Sequence, residues 1–336
     1  MSALSVDALW PRAGDWPAPD DTAAPDAVLL GVPAWRTSLS PTRAGETPAA
    51  VREALRRFSP TLIGPPPLDL NLALRLTDAG DVDEPDGREG EARVRAAVDD
   101  LAAARLVIAL GGDNSATYAV AQGRGAAGLI TLDAHFDLRD GESNGSPVRR
   151  LIADGLDPRR IVQIGIADFA NSAAYARRAF DAGITVITLD EVRRRGIDEV
   201  VAQALRVAGG DPGGSPTGGP DTPVTIGSVA SPTGAPASDS PATLRTGATA
   251  TGSGIHLDID VDVCDRSVAP GCPASVPGGL ATWELRALVR ALARDPGVIS
   301  ADIVEVDAAA DAPDARTVRL AALCVLELLA GLAERR

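Results

Sequence analysis

Seven short apolar runs recur along this chain, and they constrain its fold more than any other feature. They are "DAVLLGV" (26–32), "RLVIAL" (105–110), "GLITLD" (128–133), "RIVQIGI" (160–166), "GITVITL" (183–189), "GIHLDID" (254–260) and "GVISADIVEV" (297–306). Most are continuously apolar instead of alternating, as strands covered on both faces are. Helical patterns lie between them. In "ETPAAVREALRRF" (46–58) Thr47 is placed to cap and Pro48 suits the first helical position. "GEARVRAAVDDLAAA" (90–104) and "TWELRALVRALARD" (282–295) repeat apolar residues at helical spacing, and a last helix is expected over about 315–334. Strand–helix alternation over this length predicts an α/β three-layer sandwich with a mostly parallel sheet.

One stretch breaks the pattern. Residues 209–254 are nearly all Gly, Ser, Thr, Pro, Ala and Asp, too few apolar groups to offset the entropy of ordering, so they read as a disordered insertion. The strand pattern resumes directly after it. A single domain over 1–336, with its core at about 26–335, is therefore expected.

Composition narrows the function. No apolar run approaches the roughly 18 residues of a membrane span, and the first residues lack the basic start and apolar centre of a secretory signal. A cytoplasmic protein with no membrane partner is expected. The net charge of −14 argues against nucleic acid as a partner, because phosphate attraction needs a basic patch. The 32 Lys+Arg residues are all arginine, which excludes a lysine Schiff base and a P-loop lysine. Cys264, Cys272 and Cys324 fit neither a disulfide framework nor a zinc knuckle. With only His135 and His256 available, carboxylates must do most of any metal binding, which favours a hard cation.

In open α/β sheets ligands sit at the carboxyl ends of the strands, and polar residues gather there. Asp113 and Asn114 follow the run 105–110, Asp133, His135 and Asp137 follow 128–132, and Asp258, Asp260 and Asp262 lie on 254–262. Glu305 closes the run 297–306. Period-two spacing allows each triplet to share one side of an extended segment. A lone aspartate at a strand end more often caps a helix. So many carboxylates at one sheet edge would repel one another unless cations intervened, and a divalent pair about 3.5–4 Å apart both relieves that repulsion and activates water.

With these residues in hand, the chain resembles the ureohydrolase family of arginases, agmatinases and formimidoylglutamases. "LGGDNS" (110–115) is similar to the family's G-G-D-H-S turn, and "LITLDAHFD" (129–137) contains its D-A-H-x-D motif. "DIDVDVCDRSVAPGCPASVPGG" (258–279) and "DIVEVD" (302–307) resemble later motifs. Aligned on Pro270, Gly271 and Gly279, the D-x-D pair falls on Asp260 and Asp262, and Asp258 takes a place usually held by Ser or Thr. His256 and Asp258 read either as support beneath the ligands or as ordinary packing.

The resemblance implies an arginase-like sandwich, a homo-oligomer, and two Mn²⁺ ions per chain, or one. Asp133 and Asp260 would bridge the ions. Asp137 and Asn114 would complete one site, His135 and Asp262 the other. Activated water would attack the carbon of a small amidine, Asp137 would pass a proton to the leaving nitrogen, and Glu305 would face the amidinium. Asn114 departs from the family's usual histidine. It leaves open a weaker site, a one-metal enzyme or a metal-poor homologue without catalysis. In "DLRDGESNGSPVRRLI" (137–152), Asn144 stands where arginases and agmatinases carry a histidine. "SNGSP" and "FANS" (169–172) are nearer the formimidoylglutamase branch. Arg139, Asn144, Ser146, Arg149 and Glu305 are the expected substrate-binding residues, the arginines as partners for a glutamate carboxylate. Formimidoylglutamate hydrolysis in histidine breakdown is the expected reaction, with an agmatinase or another urea-releasing guanidino hydrolase as the alternative.

Overall fold

Eight strands form one sheet in which every pairing is parallel. The structure is a computed structural model that describes residues 7–20, 22–210 and 254–335. In chain order the strands are β1 (Ala27–Val32), β2 (Leu76–Asp81), β3 (Leu106–Gly111), β4 (Gly128–Leu132), β5 (Ile161–Ile166), β6 (Thr185–Thr188), β7 (Ile255–Asp260) and β8 (Val298–Val304). Across the sheet they run β2-β1-β3-β8-β7-β4-β5-β6. The last two strands in sequence thus fill the centre, between β3 and β4. Apart from Gly209, Gly210 and Gly254, the stretch read as an insertion lies outside the described residues.

Each of the seven apolar runs became a strand; β2 was missed. Its sequence, "LTDAGD", carries no apolar run because only its first two residues are buried. It is an edge strand, paired with β1 alone. Arg52 holds it, with Nε on Asp78 at 2.7 Å and a further hydrogen bond to the Gly80 carbonyl at 3.0 Å.

Strand alternation divides the core between two faces. On one face Ile108, Leu110, Leu257, Ile259, Ala301 and Ile303 pack with apolar residues of the helices Thr47–Leu55, Ile197–Ala208, Thr282–Ala293 and Arg316–Ala333. The opposite face meets the helices Gly87–Asp100, Ser115–Gly123, Pro147–Ala153 and Ala173–Ala182. Helices on both sides of the sheet make the three-layer sandwich. Among the described residues no helix is long and apolar enough to cross a membrane.

Thr47 does not cap its helix. Glu46 stands at the N-cap position, and the buried Thr47 hydroxyl donates to the carbonyl of Val306 instead. This bond ties the helix to the segment just beyond β8, where Glu305 sits. Pro48 does fall in the first turn.

The approach of chain segments at the end of β3 is unusually close. A methyl group on Gly112 would lie 1.9 Å from the carbonyl oxygen of Ala34, a backbone atom that cannot swing aside. Gly112→Ala is expected to destabilise the fold by about 3 kcal/mol, at the upper end of ordinary overpacking. Urea unfolding would check it, and a loss under about 1 kcal/mol would contradict the packing described.

Candidate metal centre

The four central strands β3, β8, β7 and β4 deliver their carboxyl ends side by side. Their register is even, pairing Ile303 with Leu110, Val304 with Asp260 and Leu132 with Ile259. Asp133 therefore stands level with Asp260. After β3 the chain turns on Gly112, and the Asp113 amide donates to the Ala34 carbonyl at 2.8 Å. The Asp113 carboxylate accepts from the Ser115 amide at 3.1 Å, at the start of the helix Ser115–Gly123. Its other oxygen is buried without a partner, and burial pushes this carboxyl up to about 6. Asn114 is then presented to the site.

Neither aspartate triplet converges by lying along a straight strand, as period-two spacing had suggested. β4 ends at Leu132, and Asp133–Asp137 form an irregular loop in which Asp137 adopts φ +53°. β7 ends at Asp260, whose carboxylate accepts from the Asp262 amide at 2.8 Å and starts the tight turn Val261–Val263. That turn brings Asp262 back to accept from the Ala134 amide at 3.0 Å and to meet His135 Nδ1 at 2.7 Å. Donor atoms of Asp133, His135 and Asp262 all lie within 4.8 Å of one another. Glu305, with φ +62°, also sits in the left-handed region. Such strain in bulky residues persists only where the surroundings enforce it.

Six of the sequence-derived candidates meet here: Asn114, Asp133, His135, Asp137, Asp260 and Asp262. All but His135 are buried. The amide of Asn114 donates to Asp137, and to Asp260 at 3.4 Å. Its oxygen accepts from the Thr117 hydroxyl at 2.6 Å. Its backbone N–H donates to Glu305 at 2.8 Å. Thr117, one helical turn along, went unrecognised in the sequence because nothing but tertiary packing marks it.

Charge crowding shows in the titration of the group. Burial, with the neighbouring carboxylates, raises Asp137 and Asp260 well above the usual range, and raises Asp133 to about 7. Glu305 rises to about 8, chiefly by burial and then by Asp113. Burial opposes a charge on His135, but Asp262 and Asp133 outweigh it and push the imidazole up to about 12. Asp262 moves the other way, because His135 overcomes its burial. One Asp133 oxygen is buried with no donor at all. An oxygen-rich, anionic set with one imidazole fits a hard-to-borderline divalent cation such as Mn²⁺.

Beneath these residues a polar file continues into the core. His256 Nδ1 lies 2.9 Å from the Ser300 hydroxyl, and its Nε2 is 3.3 Å from Asp302. Asp258, raised well above its usual range by burial and by Asp302, stands next to that pair. These residues point to the same face as Asp260 and lie below the carboxylate cluster, where none lines the cleft.

The centre opens into a cleft of about 210 Å³, lined in part by Arg139, Asn144, Asn171, Ser172, Tyr175 and Glu305. Arg139 is exposed, and its guanidinium has no partner among the described residues. Asn144 donates to Glu305 at 2.9 Å and accepts from the Leu39 amide at 3.0 Å, so it joins the acidic wall to the Leu39 loop. Arg149 and Ser146 do not line the cleft. The Arg149 guanidinium donates to the carbonyls of Arg139, at 2.7 Å, and Gly141. Ser146 is fully buried, bonded to the main chain of Ser143. Both hold the loop that carries Arg139.

Comparison with known proteins identifies the family. The family model described as the arginase family matches residues 25–214 and 239–331. A curated formimidoylglutamase of Halalkalibacterium halodurans is 33% identical over 322 residues, covering 90% of this chain and 86% of its own. The crystal structure of formimidoylglutamase from Bacillus subtilis superimposes with a TM-score of 0.80 at 28% identity, covering 99% of this chain and 95% of the other. A Trypanosoma cruzi formiminoglutamase solved with Mn²⁺ shares the fold at a TM-score of 0.71 and 22% identity, over 93% of this chain and 94% of the other. Agmatinases follow among the weaker matches.

The raised groups set the pH behaviour. Asp113, Asp133 and Glu305 bind protons more tightly in the fold than in the unfolded chain. Their stabilisation is complete below about pH 4 and is lost as pH rises through about 6, 7 and 8 respectively. His135 acts in the same sense, losing its contribution above its unfolded value of 6.5. The metal-stripped protein should thus melt at a lower temperature at pH 8 than at pH 6. Added Mn²⁺ should stabilise more strongly at pH 8, because its ligands must shed protons. Calorimetry on stripped and loaded samples would test this; a metal-induced shift that shrinks from pH 6 to pH 8 would contradict it.

Proposed function

The chain belongs to the arginase family, and from that premise we propose that it hydrolyses N-formimino-L-glutamate to L-glutamate and formamide. It is a hydrolase of amidine C–N bonds. The observation that carries the substrate is the pairing, in one cleft, of a carboxylate-rich floor with the unpartnered guanidinium of Arg139. A molecule with a cationic amidine at one end and carboxylates at the other suits both. Agmatine has no carboxylate to offer Arg139.

In this reading Asp133, Asp260, Asp137 and Asn114 would hold one Mn²⁺ ion, and Asp133, Asp260, His135 and Asp262 the other. When bound, the ions activate water for attack on the amidine carbon. Asn114 suits either state of the site. Turning its amide over presents oxygen to an ion and N–H to Thr117, whose hydroxyl accepts as readily as it donates.

Protein groups supply binding and proton handling. Glu305 has one oxygen held by Asn114 and Asn144, which leaves the other for the amidinium. Asp137 holds a proton readily, its carboxyl being raised well above the usual range by burial. It passes that proton to the glutamate nitrogen as the C–N bond breaks. Arg139 draws in the substrate's carboxylate end, and Arg149 fixes the loop beneath it. The family and the acidic balance also fit a homo-oligomer in the cytoplasm, with no nucleic-acid partner.

Turnover of N-formimino-L-glutamate by the Mn²⁺-loaded protein, followed as glutamate and formamide, is the direct test. Asp133→Ala should abolish it. Arg139→Gln should raise KM about ten- to a hundredfold with kcat within a few-fold, the loss expected of a charge-assisted pair formed equally in ground and transition states. Urea release from agmatine at a higher kcat/KM would reassign the substrate. Mn²⁺ occupancy near zero, with no turnover, would favour a homologue that has lost catalysis at Asn114.

A further inference from the structure

We propose that Asn171 is a positioning residue for the metal centre: its amide holds both peptides that flank His135 and couples them to the wall of the substrate cleft. The inference rests on the reading of His135 and its neighbours as metal ligands. Asn171 lies outside every ligand motif, on the loop after β5.

Its side chain makes three hydrogen bonds, all to main chain. The amide oxygen accepts from the Phe136 N–H at 3.2 Å. The amide nitrogen donates to the Ala134 carbonyl at 2.8 Å and to the Ala167 carbonyl at 3.2 Å. The peptides on either side of His135 are therefore gripped by one planar group, which offers a donor and an acceptor at once. Neither a carboxylate nor an apolar side chain can do both.

His135 needs such a hold. Its side chain is 27% exposed, against 0% and 2% for its two carboxylate partners Asp133 and Asp262. Those carboxylates are what fix the imidazole in the absence of an ion, and on this reading an ion takes them over. The ring's aim then depends on the main chain at 134–136. Gln163 adds a bond to the Phe136 carbonyl at 3.0 Å, but among the described residues only the Asn171 side chain holds both flanks. Outer partners that orient a ligand commonly change metal affinity by about ten- to a hundredfold.

Asn171 also lines the cleft, next to Ser172, which caps the helix Ala173–Ala182 through the Tyr175 amide at 3.2 Å. Asn171 thus links this wall to the main chain at His135, beside the Ala167 N–H, which donates to the same Ala134 carbonyl at 3.1 Å. Loss of Asn171 should affect both metal affinity and KM.

The test uses the full chain as wild type, Asn171→Ala and Asn171→Asp, with Mn²⁺ binding followed by electron paramagnetic resonance. Asn171→Asp keeps the shape and one acceptor while removing both donors, so it serves if the alanine variant folds poorly. Both variants should lose at least about tenfold in affinity for one of the ions. Both should raise KM, and both should melt, when metal-free, close to wild type. Wild-type Mn²⁺ affinity in both variants overturns the proposal, and so does a lowered melting temperature with unchanged affinity. No Mn²⁺ binding by the wild type would instead sink the metal-centre reading on which it rests.

Discussion

Mutual repulsion among buried carboxylates is the constraint on which the rest of this structure depends. Asp133, Asp137, Asp260 and Asp262 come together at the ends of adjacent central strands and their loops, out of water. In such surroundings each is driven toward its neutral form unless a positive charge intervenes. The protein supplies one such charge internally, at His135, and that charge reaches Asp262 best. The remaining carboxylates stay raised. A site this frustrated without a cation is prepared for one. The surrounding apolar sandwich bears the cost of holding it open.

Neutral amides do much of the holding. Asn114 spans Asp137, Asp260 and Thr117; Asn144 joins Glu305 to the Leu39 loop; Asn171 grips both sides of His135. An amide adds no charge to a crowded anionic centre, yet it offers a donor and an acceptor in fixed relation to one another. The positive φ angles of Asp137 and Glu305 belong to the same scheme. Two carboxylates are forced into conformations their side chains disfavour, and the bonds of neighbouring amides keep them there.

Beneath the carboxylate cluster, His256, Asp258, Ser300 and Asp302 form a polar file on the face of the sheet that also carries Asp260. On that face the apolar packing is split into three separate clusters, around Leu129 and Ile161, around Ala109 and Val304, and around Val28 and Val107. The opposite face carries one extended cluster. The asymmetry follows from strand alternation: polar residues like Asp260 recur two and four positions back, at Asp258 and His256, on the same side.

How much of this was legible in the sequence can be argued residue by residue. Apolar runs revealed seven strands, most of them continuous because a strand covered on both faces has no polar side; β7 and β8 alternate, with His256, Asp258, Asp260, Ser300 and Asp302 on one side. β2 escaped, since an edge strand needs no such run. The strand-end positions of Asn114, Asp133, His135, Asp137, Asp260, Asp262 and Glu305 were likewise readable, because the chemistry of a ligand is carried by residue type and by its place after an apolar run. Tertiary structure alone decided the rest. It made β3, β8, β7 and β4 neighbours, and it replaced the expected straight segments with a loop and a turn. It also left the Arg139 guanidinium without a partner among the described residues while Arg149 and Ser146 served the loop beneath, and it placed Thr117 and Asn171 against the site. The physical reason is one of range. Burial and periodicity act between residues close in sequence, whereas the partner of a polar side chain is set by whichever distant segment the sheet order brings alongside it.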